Sequence, residues 1–146
     1  MTAEAGYSGT PLVRKLGIKP SSRVLLVAAP PEFDIADIPP EAVVHRRSGR
    51  ASYDVILAFC PDGKRLQSRL SACVPKLTTA GALWLAWPKR ASGVHTDIDE
   101  NDVREEGLRA GLVDVKVAAI DATWGSLKFV RRLRDRPDQK RPDQKR

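Results

Sequence analysis

The sequence predicts a three-layer α/β domain built on one sheet of about six strands, and three observations carry that prediction. Apolar runs at residues 24–29, 53–59 and 82–87 have strand length and are apolar at nearly every position, as strands covered on both faces must be. Between and after them, residues 62–77 repeat apolar side chains at helical spacing and residues 101–110 carry the charge and stop signals of a helix, so strand and helix alternate as in parallel crossover units. The chain then closes with two alternating stretches, the pattern of an antiparallel hairpin. At 146 residues there is length for one compact domain and not for two. Residues 1–134 are expected to form it.

Each element can be justified in turn. Thr10-Pro11-Leu12-Val13-Arg14-Lys15-Leu16-Gly17 predicts a short helix with Thr10 as N-cap, Pro11 in the first position and Gly17 as the stop. The first strand follows near 24–29, then one helical turn within 34–38 and a second strand over 42–47. Residues 53–59 make a third, central strand. A helix from Asp62 to about Leu77 buries Leu66, Leu70, Cys73, Val74 and Leu77 and turns Lys64, Arg65, Ser68 and Arg69 outward, with Pro75 loosening its last turn. Gly81 turns the chain into a fourth buried strand over 82–87. The helix from about Asn101 to Ala110 has Glu100 and Asp102 at its start, Arg109 near its end and Gly111 as its stop, matching the helix dipole. Val113, Val115 and Val117 alternate with Asp114 and Lys116. Leu127, Phe129, Arg131 and Leu133 alternate with Lys128, Val130 and Arg132, and residues 121–126 join the two stretches. Val27, Ile56, Leu57, Leu83 and Leu85 are the expected centre of the core.

The net charge of +7 suggests nucleic acid until it is divided along the chain. Residues 131–146 hold eight Lys/Arg and three Asp, a charge of +5, and the rest of the chain is left with +2. That end carries a tandem pentapeptide, Arg136-Pro137-Asp138-Gln139-Lys140 and Arg141-Pro142-Asp143-Gln144-Lys145, with no apolar residue to bury. Residues 135–146 are therefore expected to be a disordered basic tail, giving weak, salt-sensitive contact with polyanions at most. No apolar run approaches the roughly 18–20 residues that span a bilayer, and the start shows no secretory leader. Cys60 and Cys73 form no paired spacing and have no histidine set nearby, so reduced, buried thiols in a cytoplasmic protein are expected, and no metal. Signatures for phosphate loops, zinc proteases and serine hydrolases are missing. His45, in a strand, and His95, in a loop, lack an evident partner and are expected to be structural.

The first strand ends in the wrong residues for a nucleotide site. Where such strands turn into a glycine loop that points N–H groups at a ligand, this one runs into Ala28-Ala29-Pro30-Pro31-Glu32-Phe33. Proline has no N–H to offer and fixes φ.

Tyr53-Asp54-Val55-Ile56-Leu57 and Thr79-Ala80-Gly81-Ala82-Leu83-Trp84-Leu85 resemble the fourth strand, and the turn into the fifth, of the Rossmann-like S-adenosylmethionine methyltransferases, shortened here in the first half. The resemblance implies a sheet order of 2-1-3-4-6-5 with the last-formed strand antiparallel. A closer resemblance runs over most of the chain. Tyr7-Ser8-Gly9-Thr10-Pro11-Leu12, Ala86-Trp87-Pro88-Lys89-Arg90-Ala91-Ser92-Gly93 with Thr96-Asp97, Gly111-Leu112-Val113-Asp114-Val115-Lys116-Val117, and Trp124 with Leu127-Lys128-Phe129-Val130 resemble a small bacterial, mainly actinobacterial, domain family to which no activity is assigned. The methyltransferase pattern requires a glycine loop after the first strand and an acidic residue ending the second. This chain has Pro30-Pro31 at the first place and Arg46-Arg47-Ser48 at the second, so no cofactor is expected.

Two places remain as candidate sites. Ser8, Gly9 and Thr10 before Pro11 could offer hydroxyls and N–H groups to an anion at a helix start, or could serve as an ordinary cap. Trp87, Lys89, Arg90, Ser92 and Asp97 leave the carboxyl end of a central strand, where open α/β sheets bind ligands, and Trp124 on the hairpin turn is expected at the same edge. The leading expectation is a non-catalytic, methyltransferase-like binding or regulatory protein that takes a protein partner or a small anionic ligand there. The alternatives are a divergent S-adenosylmethionine-dependent methyltransferase and a nucleic-acid-associated protein acting through its tail.

Overall fold

A computed structural model of the chain describes residues 9–135. Ser8 and both copies of the tail pentapeptide lie outside them.

The chain forms one six-stranded sheet in the order β2-β1-β3-β4-β6-β5. Its strands are β1 (Arg23–Val27), β2 (Val43–His45), β3 (Tyr53–Phe59), β4 (Leu77–Pro88), β5 (Leu112–Ala119) and β6 (Trp124–Arg131). β1 to β4 pair parallel, and β6 is inserted antiparallel between β4 and β5. This is the order and polarity expected.

One face is sealed by α2 (Gly63–Cys73) and α3 (Glu100–Arg109). Leu66, Leu70, Cys73 and Val103 from these helices pack on Ile56, Leu83, Leu85, Leu127 and Phe129 of the sheet. Asp62 caps α2 through the Arg65 N–H, and Asp99 and Asp102 form a reciprocal capping box on α3. Gly107 lets α3 lie directly on Phe129, since a Cβ there would sit 2.1 Å from the ring. The other face is covered differently. It has α1 (Leu12–Lys15), a single turn, followed by Leu16 and Ile18, and the long connection from β1 to β2 with Phe33, Ile35 and Ile38.

Several boundaries differ from the sequence reading, each for a local reason. No helical turn forms within 34–38, because Asp37 and Glu41 take positive φ on either side of Pro39-Pro40. α2 stops at Cys73 and Val74–Lys76 tighten into a 3-10 turn, as Pro75 removes a helix donor. β4 begins at Leu77, so Gly81 lies inside it rather than before it. The α1 N-cap is Pro11, not Thr10: the Pro11 carbonyl accepts the Arg14 and Lys15 N–H groups. A register shift between Asp114 and Lys116 breaks the valine alternation, leaving Val115 and Val117 exposed, and Leu133 stands exposed in a terminal turn. Ile56, Leu57, Leu83 and Leu85 are fully buried as expected, while Val27 is only partly so.

Candidate functional site

The carboxyl edge of the sheet divides into two parts with different chemistry. Over β1 and β3 the space is filled. Val27 leads into Ala28 at φ 59°, the left-handed conformation that the glycine of a nucleotide loop supplies, so the backbone turn is kept with an alanine in it. The Phe33 N–H then donates to the Pro30 carbonyl and closes a tight turn. The turn brings Phe33 edge-on to Phe59, ring centres 5.1 Å apart, and Phe59 is edge-on to Trp124 at 5.0 Å. Arg46, beyond the end of β2, donates from its guanidinium to the Phe33 carbonyl and ties the turn down. The residues present therefore do not fit a methyl donor. Two positions of the loop have no N–H, the side chain after β2 is a cation already bonded to the loop, and aromatic rings stand over the strand ends.

Over β4 and β6 the edge opens into a cleft of about 600 Å³. It is lined by Trp87, Lys89 and Arg90 with Gly125 beside them, by His95, Thr96 and Ile98 at the back, and by Val117 and Ala119 of β5. Gly125 leaves room for the Lys89 stem, which passes 3.1 Å from where a Cβ would stand. Asp99 and Glu100 at the start of α3 also reach the cleft, but both carboxylates are engaged. Asp99 holds the Asp102 N–H, which depresses its pKa, and Glu100 pairs with Arg104 at 2.7 Å. The ion pairs among the described residues include neither Lys89 nor Arg90. The cleft thus presents two cations beside an indole edge and a ring of small and aliphatic walls, an arrangement able to receive an anionic group attached to a planar or apolar body.

Not all of the expected site residues meet there. The Ser92 hydroxyl donates to the Lys89 carbonyl at 2.6 Å and accepts the Val94 N–H, so it shapes the turn that presents Lys89. Asp97 accepts the Gly63 N–H at 2.9 Å and secures the start of α2. Trp124 sits beside Pro88 in the β4–β6 register and therefore on the face opposite Trp87, where it joins Phe59. Gly9 and Thr10 precede a helix of four residues whose N-cap, Pro11, makes no side-chain hydrogen bond. The sequence reading missed Phe33 and Arg46 as the closing pair, and Thr96, whose hydroxyl donates to the Pro61 carbonyl at 2.7 Å and pins the back of the cleft.

His45 shares the Tyr53 hydroxyl with the Gly49 N–H, both contacts at 2.8 Å, which is a structural role. Burial pushes the Cys60 thiol up to about 12 and the Cys73 thiol to about 11, so both stay neutral and unreactive near pH 7. No group of three or more potential metal ligands gathers among the described residues, and no helix among them is long and apolar enough to cross a membrane.

No family model and no curated protein sequence matches the chain. Solved structures do. Ribosomal protein L11 methylase from Lactobacillus delbrueckii subsp. bulgaricus superposes with a TM-score of 0.53 at 10% identity, over 83% of this chain and 75% of that one. TrmN from Thermus thermophilus gives 0.54 at 14% identity, over 83% and 47%. LepI in complex with SAH and a substrate analogue gives 0.50 at 15%, over 83% and 39%. The chain has a methyltransferase-like, Rossmann-like α/β fold. It spans less than half the length of two of these three proteins.

Proposed function

We propose that the chain is a binding protein on a methyltransferase scaffold, and that its ligand enters the cleft beside Trp87, Lys89 and Arg90. The observation that carries this reading is the division of the carboxyl edge: the half where a methyl donor would lie is packed with Phe33, Phe59 and Trp124, and the half over β4 and β6 is open. The ligand class that suits the open half is a small molecule, or an exposed segment of a partner protein, with an anionic group next to a planar or apolar one.

A second reading is a divergent S-adenosylmethionine-dependent methyltransferase, and the structural comparisons lean toward it, since two of the similar proteins are a methylase and a protein bound to SAH. It requires a donor grip unlike the one that Pro30, Pro31 and Arg46 replace.

Isothermal titration separates the two. The first reading expects S-adenosylmethionine to bind no tighter than about millimolar, the level of a few weak contacts. Micromolar binding overturns it and favours the second. Native mass spectrometry of the purified chain addresses the cleft itself. A co-purifying molecule lost in Lys89→Ala, with the melting temperature unchanged, supports the assignment; one retained in both Lys89→Ala and Arg90→Ala places the ligand elsewhere.

A further inference from the structure

Lysines from four different places gather on the thinly covered face of the sheet. Lys116 of β5 and Lys128 of β6 are direct cross-strand partners in an antiparallel pair. Like charges placed directly opposite destabilise a sheet, so this pair costs the fold something and gives nothing back through packing between its two heads. Lys128 extends its ammonium over the ring of the fully buried Trp84, 5.9 Å from the centre. Lys19, after α1, lines the same hollow as Lys128, near the amino edge. At the other end, Lys15 donates to the Ala119 carbonyl at 3.2 Å.

The electrostatic consequence is visible in the lysines themselves. Lys128 is held below the ordinary lysine range, first by burial and then by Lys116 and Lys19; Lys15 is lowered by burial, then by Lys89 and Lys116. The ion pairs of Arg65, Arg104 and Arg109 take none of Lys19, Lys116 and Lys128. The carboxylates near the ends of the row are occupied. Asp54 beside Lys19 and Lys128 accepts the Arg23 N–H, and Asp121 holds the Thr123 and Trp124 N–H groups of the hairpin turn.

We propose that this face, through Lys19, Lys116 and Lys128, binds the phosphodiester backbone of a nucleic acid. Three cations from the α1–β1 connection, β5 and β6 thus share one face, and each can neutralise a phosphate of a strand laid across it. The choice of partner follows from what the face lacks. Protein interfaces are anchored by exposed aromatic and arginine side chains. Here Trp84 and Ala86 are buried beneath the lysines, and the cations are compact ammonium groups with no arginine fork among them. Such a surface suits phosphate contacts that position a strand without reading its bases.

The test is fluorescence anisotropy of the full chain with labelled single-stranded 20-mers, poly-uridine RNA and a DNA of the same length, at 50 and 200 mM salt. Binding to both at low salt is expected, weakened about 10-fold in the double variant Lys116→Gln/Lys128→Gln. The slope of log affinity against log salt should fall by about 1.4, the value for two lost phosphate contacts on a single strand. Relieving the lysine pair should leave the melting temperature equal or higher. If it drops instead, Lys19→Gln, exposed and outside the sheet, gives the same reading with a smaller loss. The difference between wild type and variant must persist when residues 136–146 are deleted. Unchanged affinity in these variants, a difference that vanishes with the tail, or polyglutamate competing as well as RNA at equal charge would each overturn the proposal, the last in favour of an acidic protein.

Discussion

The carboxyl edge over β1 and β3 and the carboxyl edge over β4 and β6 belong to one sheet, yet one is shut and the other open. Shutting the first takes few residues. Pro30 and Pro31 stiffen the loop, its turn folds Phe33 back onto Phe59, and Arg46 holds the Phe33 carbonyl. Opening the second takes as few: Gly125 makes room, Ser92 bends the chain after β4, and Thr96 fixes the loop to Pro61. Neither set alters the strand order, which the chain shares with proteins only 10–15% identical to it. The core under the edge fixes the fold, and the loops above it decide where a ligand can enter.

The largest expected effect lies beneath both halves. Leu57 is fully buried in β3, between β1 and β4. Leu57→Ala should cost about 2–5 kcal/mol in urea unfolding, a large part of a small domain's stability. A loss under about half a kilocalorie would mean that the two halves do not share one core. Next comes Gly107→Ala, which drives a methyl group into Phe129 and should push α3, and Asp99 and Glu100 at its start, off the sheet. The expected loss is about 1–3 kcal/mol, against a gain of at most about 1 kcal/mol in helix propensity. A neutral result would show that α3 can shift at little cost, and that the wall of the cleft is soft.

The central strands were legible because long apolar runs can be buried only in the middle of such a sheet, the full strand order followed from the resemblance to the methyltransferases, and Asp62 marks a helix start without tertiary help. The candidate site was legible only in part. Trp87 and Trp124 both reach the carboxyl edge, but which face each takes depends on the pairing of Pro88 with Trp124, and the register of two strands so far apart in the chain is not written in either alone. Ser92 and Asp97 carry the right chemistry for a ligand and spend it on the Lys89 carbonyl and the Gly63 N–H, a matter of three-dimensional proximity. Phe33 looked like a loop residue, since nothing local links it to Phe59, 26 positions on. The group of lysines was hidden for the same reason, because it forms only when α1, β5 and β6 are brought side by side.

A smaller effect tests the shut half directly. Phe33 is half-buried, so Phe33→Ala should cost about 1–2 kcal/mol, less than the roughly 3–5 kcal/mol of a fully buried phenylalanine. The space beside Phe59 would open, but S-adenosylmethionine should still not bind, because Pro30 and Pro31 still lack donors. Micromolar affinity appearing in this variant by isothermal titration would show that the aromatic ring alone closes the donor side.

The smallest expected effect concerns the turn itself. Ala28 adopts φ 59°, a conformation that costs a residue with a Cβ roughly 1–2 kcal/mol and glycine almost nothing. Ala28→Gly removes that strain, but the glycine gives the unfolded chain extra freedom worth about 0.4–1 kcal/mol. The net should be a gain of about half a kilocalorie, read as a small rise in urea midpoint with an unchanged slope. A clear loss would contradict the left-handed turn after β1, and with it the view that this half of the edge keeps the backbone of a nucleotide loop. The gain sharpens the comparison. It would show that the shut half holds a turn suited to glycine at the expense of its own stability, while the donors such a turn would normally present have been replaced by proline.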